Sequence, residues 1–310
     1  PHLAWGSNGR LLFVAHLNGF SQPNALFRWR ASDGDVLLLS NAELLRTAIP
    51  DSTTDFLPEF YHPGVSDAGI AFFSNRYSYF RANGSFVMFQ RGIFSTDGVT
   101  TQEIGVGLVP GQPASATFRD KPVLLTSHND AGDFLFQAVY LSTEGNRGVY
   151  LLWDDEPVRV IDNAPGRSFP GLPAGAQVNA VGADFDALAL GAKGHIAIDT
   201  TLTVSGETRD TVLLWDNTQW RELQSRAGEY ASDLLSGVSA DGQAAYLAGG
   251  RPFLGDGQNT VDLDSSLPPE LTGLNFEWEG FGGALNNPGR VLLRYQRLGG
   301  DQTPEGRIQA

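Results

Sequence analysis

The stretch "NDAGDFLFQA", residues 129–138, joins a tight-turn signal to an alternating apolar segment. Asn and Asp side chains hydrogen-bond the nearby backbone, and a glycine such as Gly132 adopts positive φ without steric cost. Phe134 and Phe136 follow with the period of two that places alternate side chains on one face of a β-strand. The stretch therefore predicts a hairpin turn followed by a strand with one buried face.

Similar turns recur along the chain. The stretches that align with the Gly132 turn are "SNGR", "SDAG", "GAKG", "SADG" and "NNPG", with their glycines at Gly9, Gly69, Gly194, Gly242 and Gly289. Successive glycines are 60, 63, 62, 48 and 47 residues apart. Repetition at this spacing is typical of four-stranded propeller blades that differ in loop length.

The columns on either side of the aligned glycines support the same repeat. Four residues after the glycine, every position is apolar: Phe13, Phe73, Phe136, Ile198, Tyr246 and Leu293. Five residues before it, every position is small: Ala4, Gly64, Ser127, Ala189, Gly237 and Ala284. Small residues suit the innermost strands of a propeller, because these strands converge on a narrow channel.

The outer strands are less regular than the inner ones. A pair of strands about a polar turn is expected after each of the first four repeats, as in "GVYLLWDDEPVRVI" from Gly148 and "TVLLWDNTQWREL" from Thr211. The fifth pair is weaker and is expected from Asn259, and the sixth ends at "GRIQA". The Trp-Asp pairs at 153–154 and 215–216 occupy matching places, which indicates a structural role.

These observations predict an all-β fold, a β-propeller of six blades with about four antiparallel strands each. The last blade is expected to be incomplete, and seven blades are the alternative. We expect one domain over residues 1–310, with blades at approximately 1–58, 59–121, 122–181, 182–233, 234–279 and 280–310. Because the chain starts at Pro1 and stops within a blade, we expect a processed or partial chain.

The composition of the chain argues against several classes of binding partner and chemistry. The net charge of -14 and the pI of about 4.7 argue against nucleic acid and anionic membranes, which bind basic surfaces. The absence of cysteine excludes disulfides, thiol catalysis and Cys-ligated zinc. Apolar runs such as "LLFVA" at 11–15 are far too short to span a membrane.

The motif of "NDAGDFLFQAVYL" followed by "RGVYLLWDDEPVRVI", within residues 129–161, resembles an uncharacterised family of bacterial secreted β-propeller repeat proteins. The stretch "SADGQAAYLA" is more weakly similar to TolB-type propeller repeats. The first resemblance implies an extracellular, cell-surface or periplasmic location and no particular activity.

The long, variable segments of such a propeller gather on the face opposite the tight turns, so we expect a binding site there. Residues 75–91, "NRYSYFRANGSFVMFQR", interleave Arg76, Tyr77, Tyr79, Phe80 and Arg81. This combination suits stacking and bidentate contacts to sugars, carboxylates or a protein. The alternative is an extended β-hairpin that packs its own aromatic side chains.

Three further segments are candidates for the same face. They are the first crossover at 40–63, a loop "AGGRPFLGDGQNT" from Ala248 that contains Arg251, and a crossover "NFEWEGFGG" from Asn275 that contains Trp278 and Glu279. Trp278 between two glutamates has the composition of a sugar platform, and the alternative is that it covers the end of a blade.

No nucleophile elbow, phosphate loop or dinucleotide fingerprint is present in the right context, and no cofactor is predicted. Calcium could bind Asp33 and Asp35 or the acidic run of Asp256, Asp262 and Asp264, for which solvated turns are the alternative. The sequence therefore favours a non-catalytic exported module that binds a protein or a glycan, as a single chain or as an oligomer.

The alternative function is a polysaccharide hydrolase or lyase that uses loop carboxylates. Cleavage of a glycosidic bond needs only two such groups, which the loops of a propeller face can supply. The carboxylates considered for it are Asp55, Glu59, Glu207, Asp256 and Glu279.

Overall fold

The computed structural model describes most of the chain. The described residues are 3–5, 9–15, 25–49, 57–104, 110, 123–129, 131–139, 147–153, 156–181, 188–224, 228, 230, 235, 237–266, 276–281, 292–297 and 306–309. Contacts group the chain into two compact units, Pro1–Val160 and Ile161–Ala310.

The first unit contains three four-stranded sheets whose strands are antiparallel neighbours in chain order. The first sheet consists of β1 (Leu3–Trp5), β2 (Arg10–Ala15), β3 (Ala25–Arg30) and β4 (Val36–Asn41). The second consists of β5 (Leu57–Val65), β6 (Ala71–Phe80), β7 (Phe86–Thr96) and β8 (Thr101–Ile104). The third consists of β9 (Val123–His128), β10 (Phe134–Val139), β11 (Arg147–Trp153) and β12 (Glu156–Asp162).

The second unit continues the pattern. Its first sheet contains β13 (Gln177–Val181), β14 (Leu188–Leu190), β15 (Ile196–Val204), β16 (Glu207–Trp215) and β17 (Trp220–Glu222), with β13 and β14 both paired to β15. The next contains β18 (Gly237–Val238), β19 (Ala244–Ala248), β20 (Arg251–Gly255) and β21 (Thr260–Asp262), followed by a 3₁₀ turn at Asp264–Ser266. The last contains β22 (Phe276–Phe281), β23 (Leu292–Arg297) and β24 (Gly306–Gln309).

Six consecutive antiparallel meanders are therefore present in the described part of the chain, and they are the blades of a β-propeller. The prediction of an all-β fold with six blades is confirmed, and the sixth sheet has three strands instead of four. The fourth and sixth sheets begin earlier than the predicted blade starts at 182 and 280, because β13 and β22 pair into them.

The turn of the opening stretch has the expected geometry. Gly132 has φ of +97°, and its N–H donates to the carbonyl of Asn129 at 3.1 Å. The Asn129 side chain is used within the turn, because its Oδ1 accepts from the Asp133 N–H at 3.0 Å. The aligned glycines that the structure describes share a positive φ, namely Gly9, Gly69, Gly194 and Gly242.

The apolar column after these glycines lies in the blade cores. Phe73, Phe136, Ile198 and Tyr246 are completely buried. The first blade departs from this pattern, since Phe13 is only half-buried and stacks on Phe27 with ring centroids 5.4 Å apart. The position equivalent to them in the sixth blade, Leu293, lies outside the residues whose side chains are described.

One short α-helix interrupts the strands in the described part of the chain. The helix α1 (Ala42–Ala48) begins at Asn41, whose Oδ1 accepts from the N–H of Leu44 at 3.0 Å. Leu45 is its fully buried anchor. The predicted crossover at 40–63 is thus corrected, since part of it is this helix and its last residues belong to β5. No helix in the described ranges is long and apolar enough to cross a lipid bilayer.

A close contact between neighbouring strands explains why position 64 is a glycine. The imidazole of His128, at the end of β9, lies so close to Gly64 in β5 that a methyl group on Gly64 would overlap it. Two neighbouring inner strands can approach this closely only if one of them carries no side chain at the contact. This contact explains the small-residue column for one pair of blades.

We expect Gly64→Ala to lower the free energy of unfolding by about 1–3 kcal/mol, because the added methyl overpacks the contact with His128. Urea denaturation of the variant would measure the loss. The double variant Gly64→Ala/His128→Ala should lose less than the sum of the two single variants, since removing the ring removes the overlap. A Gly64→Ala protein as stable as the wild type would contradict the packing argument.

Candidate functional site

The β6–β7 hairpin carries most of the residues that the sequence singled out. It is formed by strands of 10 and 11 residues, and Phe80 opposes Phe86 in its last described pair. Its turn is closed by two backbone hydrogen bonds, from Arg81 N–H to Ser85 and from Gly84 N–H to Arg81, both 2.9 Å long. The extended hairpin considered as the alternative for residues 75–91 is what the structure shows.

The two tyrosines of this hairpin lie in the hydrophobic core. Tyr77 and Tyr79 are only 4% and 6% exposed, with their ring centroids 5.9 Å apart. Tyr77 also meets the edge of Phe94 at 6.0 Å. The structure therefore places both rings where they support the hairpin, and a ligand would have to displace packed side chains to reach them.

Arg76 lies in a cluster with two residues of the neighbouring strand. Its Nε is 3.6 Å from Oε2 of Glu59, and the same oxygen accepts a hydrogen bond from the hydroxyl of Tyr61 at 2.6 Å. Glu59 opposes Arg76 in the β5–β6 register, and Tyr61 is two residues further along β5 on the same face. The Arg76 and Glu59 side chains are 33% and 23% exposed, so solvent reaches both.

Two phenylalanines are exposed where the hairpin ends. Phe80 and Phe86 are 39% and 49% exposed, and their ring centroids are 4.8 Å apart. Arg81 follows directly and is exposed. We call Phe80, Arg81 and Phe86 the hairpin tip. The tip therefore presents the apolar rings of two phenylalanines beside the planar guanidinium of Arg81. The base of the same hairpin is buried.

The sequence pattern indicated Phe80 and Arg81 as candidate binding residues, but it did not single out Phe86 or Tyr61. The "FVMF" run containing Phe86 gives no signal of its own, because only the strand register places that residue opposite Phe80. Tyr61 has a weak signal, since it stands two residues after Glu59 in a strand.

Arg251 has a different environment from the expected one. The predicted loop from Ala248 is a two-residue turn at Gly249 and Gly250, followed by strand β20, so that prediction is corrected. The Arg251 guanidinium is 2.7 Å from Asp262 and 3.2 Å from Asp264. Arg251 thus pairs with two of the three aspartates that were considered for calcium.

The other acidic loop is similar, because Arg30 is 2.9 Å from Asp33 and 3.1 Å from Asp35. Within the described ranges, no group of three or more His, Asp or Glu residues is arranged to hold a metal ion. Calcium binding stays a prediction.

Trp278 and Glu279 lie in strand β22, so the predicted crossover from Asn275 is corrected at these positions. Trp278 opposes Tyr295, and the register shifts between Trp278 and Gly280, which places Glu279 at an irregularity of the strand. The side chains of Trp278 and Glu279 lie outside the described part of the chain.

The turns between the third and fourth strands share an aspartate cap. Oδ1 of Asp97, Asp216 and Asp256 each accepts two backbone N–H groups, from the residues two and three positions further on. Burial raises the pKa of Asp216, but hydrogen bonds from Thr218, Gln219 and Arg221 outweigh burial and hold that pKa well below its ordinary value of 3.8. Asp216 is thus a structural cap of the turn. This supports the structural role that the sequence predicted for the Trp-Asp pair at 215–216.

We expect Asp216→Asn to destabilise the protein by about 1–2 kcal/mol at pH 7, because the charged acceptor strengthens each hydrogen bond. The folded-state pKa is depressed, so this contribution is complete above the unfolded pKa and is lost as the pH falls towards the folded value. Thermal unfolding between about pH 2.5 and 7 should therefore show the wild type and variant converging at low pH.

The matched control for this experiment is Asp241→Asn. Asp241 is 80% exposed and pairs with the exposed Lys193, so its loss should change stability by about 0.5 kcal/mol or less. Equal losses in both variants at every pH would contradict the capping role of Asp216.

No protein-family model matches this chain, and no curated protein matches it either. Among solved structures, it is similar to a luciferin-regenerating enzyme at 12% identity and a TM-score of 0.37, over 99% of this chain and 89% of the other. It is also similar to an ulvan lyase at 14% identity and a TM-score of 0.41, over 95% and 76%. A third similar structure is the GH93 α-L-arabinofuranosidase of Fusarium graminearum, at 10% identity and a TM-score of 0.40, over 94% and 87%. Such low scores transfer no activity to this chain.

Proposed function

We propose that this chain is an exported propeller module that binds a glycan through the β6–β7 hairpin. The observation that carries the proposal is the hairpin tip, where the exposed Phe80 and Phe86 rings stand beside Arg81. Aromatic faces bind the apolar C–H faces of sugar rings, and a guanidinium donates several hydrogen bonds to hydroxyl groups. A location at the cell surface, in the periplasm or outside the cell belongs to the same proposal.

The base of the hairpin supports this function. The buried Tyr77 and Tyr79 fix the hairpin against the blade core, so the tip residues are held with little loss of conformational freedom on binding. Hydrogen-bonding groups are added by Arg76 in β6 and by Glu59 and Tyr61 in the adjacent strand β5, and all three remain partly exposed. A chain of sugars offers both apolar faces and hydroxyls to such a surface.

We expect the double variant Phe80→Ala/Phe86→Ala to weaken glycan binding about 10-fold or more, since stacking on aromatic rings contributes about 1 kcal/mol per ring or more. Affinity electrophoresis in gels that contain xylan, arabinan, laminarin or ulvan would measure this loss. Thermal unfolding should stay close to that of the wild type, because both rings are already exposed.

The control is Val36→Ala/Leu37→Ala, which removes two apolar side chains of similar exposure, 58% and 41%, from strand β4. This control should bind as the wild type does. Unchanged binding by the Phe80/Phe86 variant would overturn the proposal. The proposal would also be overturned if none of the polysaccharide gels retarded the wild-type protein. Capture of a defined protein through the tip would favour a protein partner.

The second candidate function is cleavage of a polysaccharide, and the Tyr61–Glu59 hydrogen bond favours it. A carboxylate 2.6 Å from a phenolic hydroxyl can accept its proton, which is an arrangement that activates a nucleophile or a base. Arg76 lies beside the same carboxylate oxygen and can contact an anionic group of a substrate.

If the protein cleaves glycans, Glu59→Gln and Tyr61→Phe should each lower the rate about 100-fold or more while binding in the affinity gels is retained. Release of reducing ends detects hydrolysis, and absorbance of the unsaturated product detects a lyase. Absence of product from the wild type on every polysaccharide that it binds would exclude cleavage of these substrates and leave the binding function.

A further inference from the structure

The second unit contains a groove that the hairpin site does not use. Its volume is about 510 Å³, and it is lined by Glu222, Gln224 and residues 257–261. Glu222 ends the outer strand β17 of one sheet and Gln224 follows it, whereas residues 257–261 belong to the turn before β21 and to β21 itself in the next sheet. The volume lies in the usual range of small-ligand sites, about 300–1,000 Å³.

The charge of the groove is neutralised by a fixed ion pair. Arg209 donates to both carboxylate oxygens of Glu222, from Nε at 3.0 Å and from Nη2 at 2.7 Å. The hydrogen bond to Glu222 raises the pKa of Arg209, and the guanidinium also lies 4.0 Å from the centre of the Tyr230 ring. The bidentate contact orients Glu222, and the formal charges of the two side chains balance each other.

The two walls of the groove are joined by a shared acceptor. The backbone carbonyl of Gln224 accepts from the hydroxyl of Tyr246 at 2.8 Å and from Oγ1 of Thr260 at 3.2 Å. On the other wall, Oδ1 of Asp256 accepts from the N–H groups of Gln258 and Asn259. The groove is thus preformed, which lowers the entropic cost of binding a ligand.

The groove is also lined by three side-chain amides, those of Gln224, Gln258 and Asn259. With its side-chain oxygen turned towards Arg221, Gln258 accepts from two guanidinium nitrogens at 3.0 and 3.2 Å. The side chain of Gln224 is partly exposed at the groove. Val261 adds an apolar surface and is 40% exposed.

From these groups we infer that the groove binds a neutral, polyhydroxylated ligand of the size of a mono- or disaccharide. Amides and a neutralised carboxylate present donors and acceptors side by side, which matches neighbouring hydroxyl groups of a sugar. Val261 provides the contact for an apolar ring face. This site shares no residue with the hairpin tip, so it is a second binding site that does not rest on the proposed function.

The test is an NMR titration of the full chain with maltose, cellobiose and lactose, followed through the backbone amides of residues 257–261. We expect at least one disaccharide to shift these signals. Val261→Trp should abolish the shifts by filling the groove, and Gln224→Ala should weaken binding about 3- to 10-fold by removing one amide.

The matched control is Val158→Trp, a similarly exposed valine (50%) of strand β12, which should bind as the wild type does. Thermal unfolding checks that each variant folds. Phe80→Ala/Phe86→Ala should leave these shifts unchanged. Absence of glycan binding at the hairpin in the wild type would overturn only the proposed function, and absence of these shifts would overturn only this inference.

Three results would overturn the inference. The first is that none of the three disaccharides shifts these signals at concentrations up to about 20 mM, which is about 20 times a Kd of 1 mM. The second is that Val261→Trp binds as well as the wild type. The third is that glucuronate causes stronger shifts than any neutral sugar.

Discussion

The turn between the first two strands of each blade is the constraint on which the rest of the structure depends. In the opening stretch, the Gly132 N–H closes this turn on the Asn129 carbonyl, and the strand begins two residues later at Phe134. Side chains in a strand alternate between its two faces, so a shift by one residue would move Phe134 and Phe136 away from the core. Repetition of the turn therefore sets which face of each blade is buried.

The connections at the two ends of a blade differ in length and in role. At one end, glycine turns and aspartate caps such as those of Asp97, Asp216 and Asp256 keep the connections short. At the other end, the connection between the second and third strands varies from two residues after β15 to nine residues after β2, and the strands of the β6–β7 hairpin are 10 and 11 residues long. Variation is tolerated there because it leaves the register of the blade unchanged, and binding groups can be added at the tip of a hairpin.

Part of this arrangement was predictable, and the exceptions have physical causes. The third strand of the fifth blade, β20, was missed because Gly249, Gly250 and Pro252 signal a loop. Pro252 nevertheless pairs with Leu247 in this sheet, and its carbonyl accepts a hydrogen bond from the N–H of Leu263 at 3.0 Å. Helix α1 is only seven residues long, too short for its apolar period to stand out.

The candidate site was predictable to a smaller extent than the fold. Interleaved aromatic and basic residues indicated the correct hairpin, but the pattern did not separate the buried Tyr77 and Tyr79 from the exposed Phe80. All three are aromatic residues within four positions. Their exposure depends on how far the strands extend beyond the packed blade, and this length is a property of the neighbouring strands.

The sequence by itself determined the repeat, the turns, the all-β class and the number of blades, because positive φ at glycine and a period of two act between residues close in the chain. Only the tertiary structure decided that Glu59, Tyr61 and Arg76 meet, because their contact depends on the register of two strands. It also formed the groove beside Glu222 and Gln224, whose walls come from different sheets. Contacts of this kind depend on packing between distant segments, which no local pattern encodes.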